Sequence, residues 1–246
     1  PLVAASGYDV RFGEHADADL VIHLEGETSP HARHSVALAR GDQGGVAADV
    51  IVPLVREAVR FGVPISVDTY KPQVMQAVLD AGADIINDIW ALRQPGAQAV
   101  VAAHPTCGVC LMHMHGEPQT MQTLPMAGDA LPAVIDFLQQ SADDLRAQGV
   151  AAERIVLDPG VGFGKTVAQN FELLSGQVPL LALGYPLLVG WSRKSSLGAV
   201  TGCDVGERLV PSVAAALLAV ERGARVVRVH DVAQTVQALK VWQAAG

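Results

Sequence analysis

Acids, amides and cations close a series of short apolar runs along this 246-residue chain. Asp19–Gly26 (DLVIHLEG) leads to Glu25 and Glu27, and Pro64–Thr69 (PISVDT) ends in Asp68 and Thr69. Asp84–Ile89 (DIINDI) carries Asn87 and Asp88, Val109–Met114 (VCLMHM) carries Met112, His113 and Met114, and Arg154–Pro159 (RIVLDP) carries Asp158. Pro186–Ser192 (PLLVGWS) runs into Arg193 and Lys194, and Ala224–Asp231 (ARVVRVHD) holds Arg228, His230 and Asp231. Carboxylates and an amide accept from ring N–H and amino groups, a lysine donates to ring acceptors, and an Arg-x-His pair suits a phosphate. Residues two apart in a strand share a face, so Arg228 and His230 are expected to address one site. Taken singly the set is less informative: Asp231 before Val232 reads as a helix N-cap.

What positions these groups is a repeated strand–helix unit. Each run is rich in Val, Ile or Leu and short enough to be a strand. Between the runs lie helical patterns: Val74, Ala77, Val78 and Ala81 before Gly82; Val134, Leu138, Ala142 and Leu145 before Gly149; Val210, Val213, Leu217 and Val220 before Gly223; and Val232, Val236 and Leu239 at the end. Alternation of this kind implies a parallel sheet. With seven such strands, and Leu2–Ala5 as the candidate eighth, the expected fold is an α/β, (β/α)8 TIM barrel in one domain, 1–246. Its length is near the roughly 250 residues usual for that fold. Functional groups of such a barrel gather at the C-terminal ends of its strands, where the polar residues fall. The stretch 31–45 has no periodicity and reads as a long surface loop.

Composition narrows the partners. The chain is 50% apolar and 4% aromatic, so its core must be aliphatic, as strands buried on both faces require. A net charge of -8 without a basic cluster argues against nucleic acid. No stretch is long and apolar enough to span a bilayer, and the opening residues carry no secretory pattern, so a cytoplasmic protein acting on small molecules is expected. Cys107 and Cys110 form a C-x-x-C without a second pair, and read as ordinary thiols, Cys110 entering a buried strand.

The motifs VDTYKP, IINDI, MHMHGEPQTMQ, LDPGVGFGK, SRKS and RVHD, in this order from Pro64 to about Gln243, resemble the dihydropteroate synthases. The resemblance implies a transferase of folate biosynthesis, the target of sulfonamides. It would join 6-hydroxymethyl-7,8-dihydropterin diphosphate to 4-aminobenzoate with Mg²⁺ as cofactor, in a homodimer. It assigns pterin contacts to Asp68, Asn87, Asp158 and Lys194, pocket walls to Ile89, Met112 and Gly190, and stacking to Arg228. Arg228 and His230 would hold diphosphate. Phe163, Ser195, Thr28 and Pro30 would stand near 4-aminobenzoate, and Lys194, Asp68 and Arg228 would be the catalytic groups. The resemblance thins over 1–45. The family's first loop, approximately N-x-T-P-D-S-F-S-D-G, has no counterpart in 1–19, and with it goes the family's metal-associated Asn, so no metal ligand is identified. In the second loop Gly26-Glu-Thr-Ser-Pro30 lacks the family's Arg, a cation that Arg33 is a candidate to replace. That first-loop difference is what a non-catalytic pterin-binding paralogue would show. A methyltetrahydrofolate methyltransferase-like barrel would share the pocket but have no need of SRKS together with RVHD.

Two further motifs have plainer readings. Gly160–Thr166 looks like a phosphate loop, but the position that must be its first glycine is Pro159. His113-x-His115 has the spacing of half a metal site, and hydrogen bonds that orient a loop are the simpler expectation. Lys165 is expected at the solvent edge.

Overall fold

The computed structural model describes residues 2–5, 20–23, 44–62, 64–117, 121 and 123–245. The expectations placed on Glu25, Glu27, Thr28, Pro30 and Arg33 lie outside the described residues. The strands are β1 (Leu2–Ala5), β2 (Leu20–His23), β3 (Ile65–Asp68), β4 (Ile85–Asp88), β5 (Gly108–Met112), β6 (Ile155–Asp158), β7 (Leu188–Val189) and β8 (Val226–Val229). The helices are α1 (Gly44–Val59), α2 (Pro72–Asp80), α3 (Ala97–Ala103), α4 (Ala130–Ala147), α5 (Val167–Ser175), α6 (Gln177–Leu181), α7 (Ser195–Thr201), α8 (Leu209–Glu221) and α9 (Val232–Ala245).

All strand pairings are parallel, in the order β6-β5-β4-β3-β2-β1-β8-β7. The two ends of that order meet. Leu157 of β6 bridges Leu187, just before β7, and the Leu157 N–H donates to the Pro186 carbonyl at 3.0 Å. The sheet therefore closes into the expected eight-stranded barrel, with Leu2–Ala5 as the eighth strand, pairing β2 and β8. The strands are shorter than the apolar runs: Pro186–Ser192 contributes only Leu188–Val189 to β7. α1 contains Pro53, and its buried Ile51, Val55 and Ala58 fall at helical spacing.

The aliphatic composition is used as anticipated. One large core lies between strands and outer helices, where Val134, Leu138, Ala142 and Leu145 of α4 are all 0% exposed. A second lies under α8 and α9, around Trp191 and Val227. Here the expected face of α8 is corrected. Val210 is exposed, and the buried residues are Ser212, Ala215, Ala216, Ala219 and Val220. The helix is apolar nearly all round, so periodicity selects no face, and small residues are what let it lie close against the strands. Cys110 is buried in β5, as expected. No described helix is long and apolar enough to cross a membrane.

Leu138→Ala should cost about 2–5 kcal/mol, the range for emptying a filled aliphatic site. Urea unfolding monitored by circular dichroism measures it.

Candidate active site

Period-two alternation sorts the barrel interior into layers. Cys110, Leu188 and Val226 pack together with Ile85 and Val156. Two residues further along the same strands, on the same inward side, come Met112, Gly190, Arg228, Asn87 and Asp158, and Asp68 on β3 stands in register with Asn87. Asp158 is in register with Met112. The interior thus changes from apolar to polar in one step, at the end where the strands finish.

This upper layer is internally connected. An Arg228 guanidinium nitrogen (Nη2) stands 3.4 Å from an Asp68 carboxylate oxygen, and Asn87 Nδ2 donates to that same oxygen at 3.4 Å. Asn87 Oδ1 is buried and accepts nothing from the described residues. Asp158 is 6% exposed, and its Oδ1 accepts the Gly160 N–H at 2.7 Å. Burial pushes its carboxyl up to about 6, against the pull of the Gly160 bond and of the charges on Lys194, Arg228 and Lys165. Gly190 leaves space beside Arg228: a Cβ there would lie 3.9 Å from the Arg228 Cβ.

Lys194 reaches the layer from the start of α7. Its ammonium sits 4.4 Å from the centre of the Phe163 ring, a cation–π distance, and its stem crosses Gly162, where an added Cβ would stand 3.0 Å from Lys194 Cδ. Ser195 follows as the first, exposed residue of α7. Ser192 Oγ accepts the His230 N–H at 3.1 Å and lies 2.8 Å from His230 Nδ1, so His230 is held at the rim beside the end of β8. Ile89 follows β4, half-buried. Every described residue assigned from the family motifs lies at this one mouth or on its rim.

Asp88 alternates away from the interior. Its carboxylate accepts the Trp90 and Leu92 N–H groups, both at 2.8 Å, across a turn in which Ala91 (φ 50°) and Leu92 (φ 59°) are left-handed. Burial raises its carboxyl to about 7 despite those bonds. It shapes the loop after β4 rather than addressing the mouth.

Three expectations are corrected. Lys165 is not at the solvent edge. It is 6% exposed, and its ammonium donates to the carbonyls of Gly160 (2.9 Å), Phe163 (3.2 Å) and His113 (3.4 Å). Burial brings it down to about 7. His113 does not make the loop-orienting hydrogen bond expected of it, since its buried Nδ1 has no partner among the described residues and its ring packs on Phe137. β5 ends at Met112 and strand alternation with it, so His115 does not share its environment and is exposed. Burial lowers His113 to about 3, so its imidazole is neutral. Asp231, expected as a cap, turns its carboxylate instead to the Arg193 guanidinium, at 2.8 and 3.3 Å. The sequence signal for Lys165 was the alternation Gly160, Gly162, Gly164 before it. These glycines have φ of 69°, 82° and 70°. A Cβ at Gly160 or Gly164 would overlap the carbonyl oxygen of His113 or His115, so the β6 loop lies flat on the β5 loop and the lysine joins them. The loop then enters α5 through a capping box, Thr166 with Gln169. Among the described residues no group of three His, Cys, Asp or Glu side chains could hold a metal ion.

Comparison with known proteins agrees with this geometry. Residues 39–230 match the family model described as "Pterin binding enzyme". The dihydropteroate synthase of Neisseria meningitidis serogroup C is 47% identical over 199 residues, 80% of this chain and 70% of the relative. The crystal structure of Burkholderia cenocepacia dihydropteroate synthase complexed with 7,8-dihydropteroate is 50% identical with a TM-score of 0.79, covering 93% of this chain and 82% of that one. The Xanthomonas albilineans enzyme with 4-aminobenzoic acid is 42% identical with a TM-score of 0.80, covering 93% and 80%. The chain belongs to the pterin binding enzymes, and within them to the dihydropteroate synthases.

Gly160→Ala should remove the contact between the two loops. Alanine at a positive φ is strained by about 1–2 kcal/mol before any clash is counted, so a loss of at least that size is expected in urea unfolding. Phe163 and Lys194 should be displaced in a crystal structure of the variant.

Proposed function

We propose that this chain condenses 6-hydroxymethyl-7,8-dihydropterin diphosphate with 4-aminobenzoate, giving 7,8-dihydropteroate and diphosphate. The observation that carries the reading is the upper interior layer, where Asp68, Asn87, Asp158, Lys194 and Arg228 present acceptors and donors around one mouth. A pterin edge offers an amino group and ring N–H as donors, and a carbonyl and ring nitrogens as acceptors. Asp158 and the unsatisfied Asn87 Oδ1 take the donors; Lys194 donates to the acceptors. Met112, Ile89 and Gly190 bound the ring, and Arg228 stacks on it.

In the reaction the bond from the pterin methylene carbon to the diphosphate oxygen breaks, and diphosphate keeps the electron pair. The amine lone pair of 4-aminobenzoate forms the new C–N bond, and the amine then loses a proton. Arg228 and His230 receive the charge that gathers on the departing diphosphate. The negative field of Asp68 and Asp158 favours positive charge developing on the pterin. No residue needs to abstract a proton before attack, so the catalysis is positioning and electrostatics. Phe163 and Ser195, with Thr28 and Pro30, are the proposed neighbours of 4-aminobenzoate. Mg²⁺ is proposed as a partner of the diphosphate. Such an ion is usually held by one or two carboxylates plus substrate phosphates. Bound with the diphosphate, it would supply positive charge to the leaving group. A homodimer is proposed as well, supported by the exposed Val200, Val205 and Val210 around α7 and α8.

Mixing the protein with both substrates and Mg²⁺ should release diphosphate and dihydropteroate in equal amounts. Pterin binding without turnover would identify a non-catalytic paralogue instead. Lys194→Ala should weaken pterin binding by roughly 1.5–3 kcal/mol, the net value of a charge-assisted hydrogen bond, measured by calorimetry.

The pH dependence follows from Asp158. Its carboxyl is raised to about 6, so it is ionised at pH 8 and takes up a proton as pH falls through that value. A protonated carboxyl faces ring N–H groups with fewer acceptors, so pterin affinity should be flat above about pH 7 and fall below 6. Asp158→Asn should bind more weakly at pH 8 and lose that pH dependence.

A further inference from the structure

Arg193 is a left-handed residue, φ 57°, between two groups that the proposed reaction uses, Ser192 with its His230 partner and Lys194. An arginine does not adopt that backbone without help, and three helpers are present. The Arg193 N–H donates to Ser212 Oγ at 2.9 Å, and its carbonyl accepts from Arg208 Nη1 at 3.1 Å. Its guanidinium is held by Asp231 at 2.8 and 3.3 Å. Ser212 is buried on α8, with its own hydroxyl donating to the Arg208 carbonyl. Arg208 also donates from Nε to the Cys203 carbonyl at 3.0 Å, and its guanidinium lies over Gly198 of α7, where an added Cβ would come within 2.6 Å of Cζ.

None of these three side chains contacts the Asp68–Asn87–Asp158 layer. Together they fix one turn from all sides: N–H, carbonyl and side chain. The turn leads out of β7 and into α7, and rotating it would swing Lys194 away from Phe163 and Ser192 away from His230 at once.

We propose that Ser212, Arg208 and Asp231 are positioning residues, which hold Arg193 in a left-handed turn and thereby set where Lys194 and the Ser192–His230 pair stand at the mouth. The proposal rests on the functional reading above for what those groups do. Its geometry can be tested apart from it.

The test exploits glycine, which takes positive φ at no steric cost, whereas alanine does not. Arg193→Gly and Arg193→Ala both delete the guanidinium that Asp231 grips, but only the alanine then needs the missing clamp. In the full chain, Arg193→Gly should keep kcat at least about fivefold above Arg193→Ala, a difference in the range of the backbone penalty at one residue. Asp231→Ala, which leaves the arginine unclamped, should behave like Arg193→Ala, with kcat lowered more than KM is raised. Crystal structures of the variants supply a readout without substrate. Lys194 Nζ should stay near its 4.4 Å distance from the Phe163 ring in Arg193→Gly and leave it in Arg193→Ala. Equal kcat and equal Lys194 positions in the glycine and alanine variants would overturn the proposal, as would an Asp231→Ala chain in which Lys194 has not moved. If the unmodified chain makes no dihydropteroate, the functional reading fails, and the Lys194 positions still decide this proposal.

Discussion

Asp68 and Arg228 come from strands far apart in the sequence, and they meet at 3.4 Å inside the upper end of the barrel. Everything at the mouth depends on the constraint that this pair embodies: charge has been placed in a space whose walls are otherwise aliphatic. Neither side chain is well exposed, at 16% for Arg228 and 23% for Asp68. A carboxylate there is tolerable only with a cation and an amide beside it, and a second carboxylate, Asp158, adds to the cost. The field of Lys194, Arg228 and Lys165 offsets part of that cost, yet Asp158 still titrates near 6. Such a layer is a poor choice for stability and a good one for gripping a flat polar ring with donors on one side and acceptors on the other.

The surrounding loops are shaped by the same need. Lys165 spends its ammonium on three carbonyls and so fastens the β6 loop to the β5 loop. That contact carries Phe163 under Lys194. Asp88 faces outward and grips two N–H groups of the β4 loop. Next to the β6 loop, Arg193 and its partners hold the β7 turn. The four loops after β4, β5, β6 and β7 are thus tied by buried or half-buried polar side chains rather than by apolar packing, which suits a surface that must remain polar where a ligand enters.

Much of this was legible in the sequence because parallel strands write their upper ends plainly. A short aliphatic run closed by Asp, Asn or Arg announces both a strand and a mouth residue, and the parity of Asn87, Met112, Asp158 and Arg228 follows from the run itself. His113 and Asp231 were not legible, and for Lys165 the alternating Gly160, Gly162 and Gly164 signalled a close loop contact without naming its partner. Their environments depend on how one loop lies on another, and chain-local patterns carry no such information. The face of α8 was hidden for a different reason, since a helix apolar on every side gives periodicity nothing to sort. Strand length was overestimated most of all in β7, where the ladder ends at Val189 and Gly190, Trp191 and Ser192 leave the sheet to form the turn.

The most direct measurement is a crystal structure of the chain with 6-hydroxymethyl-7,8-dihydropterin. The expected result is a ring lying in the upper interior layer, with its N–H and amino edge on Asp158 and Asn87, an acceptor on Lys194, and the Arg228 guanidinium against its face. A pterin bound anywhere outside that layer, or one making no contact with Asp158 and Asn87, would contradict the account.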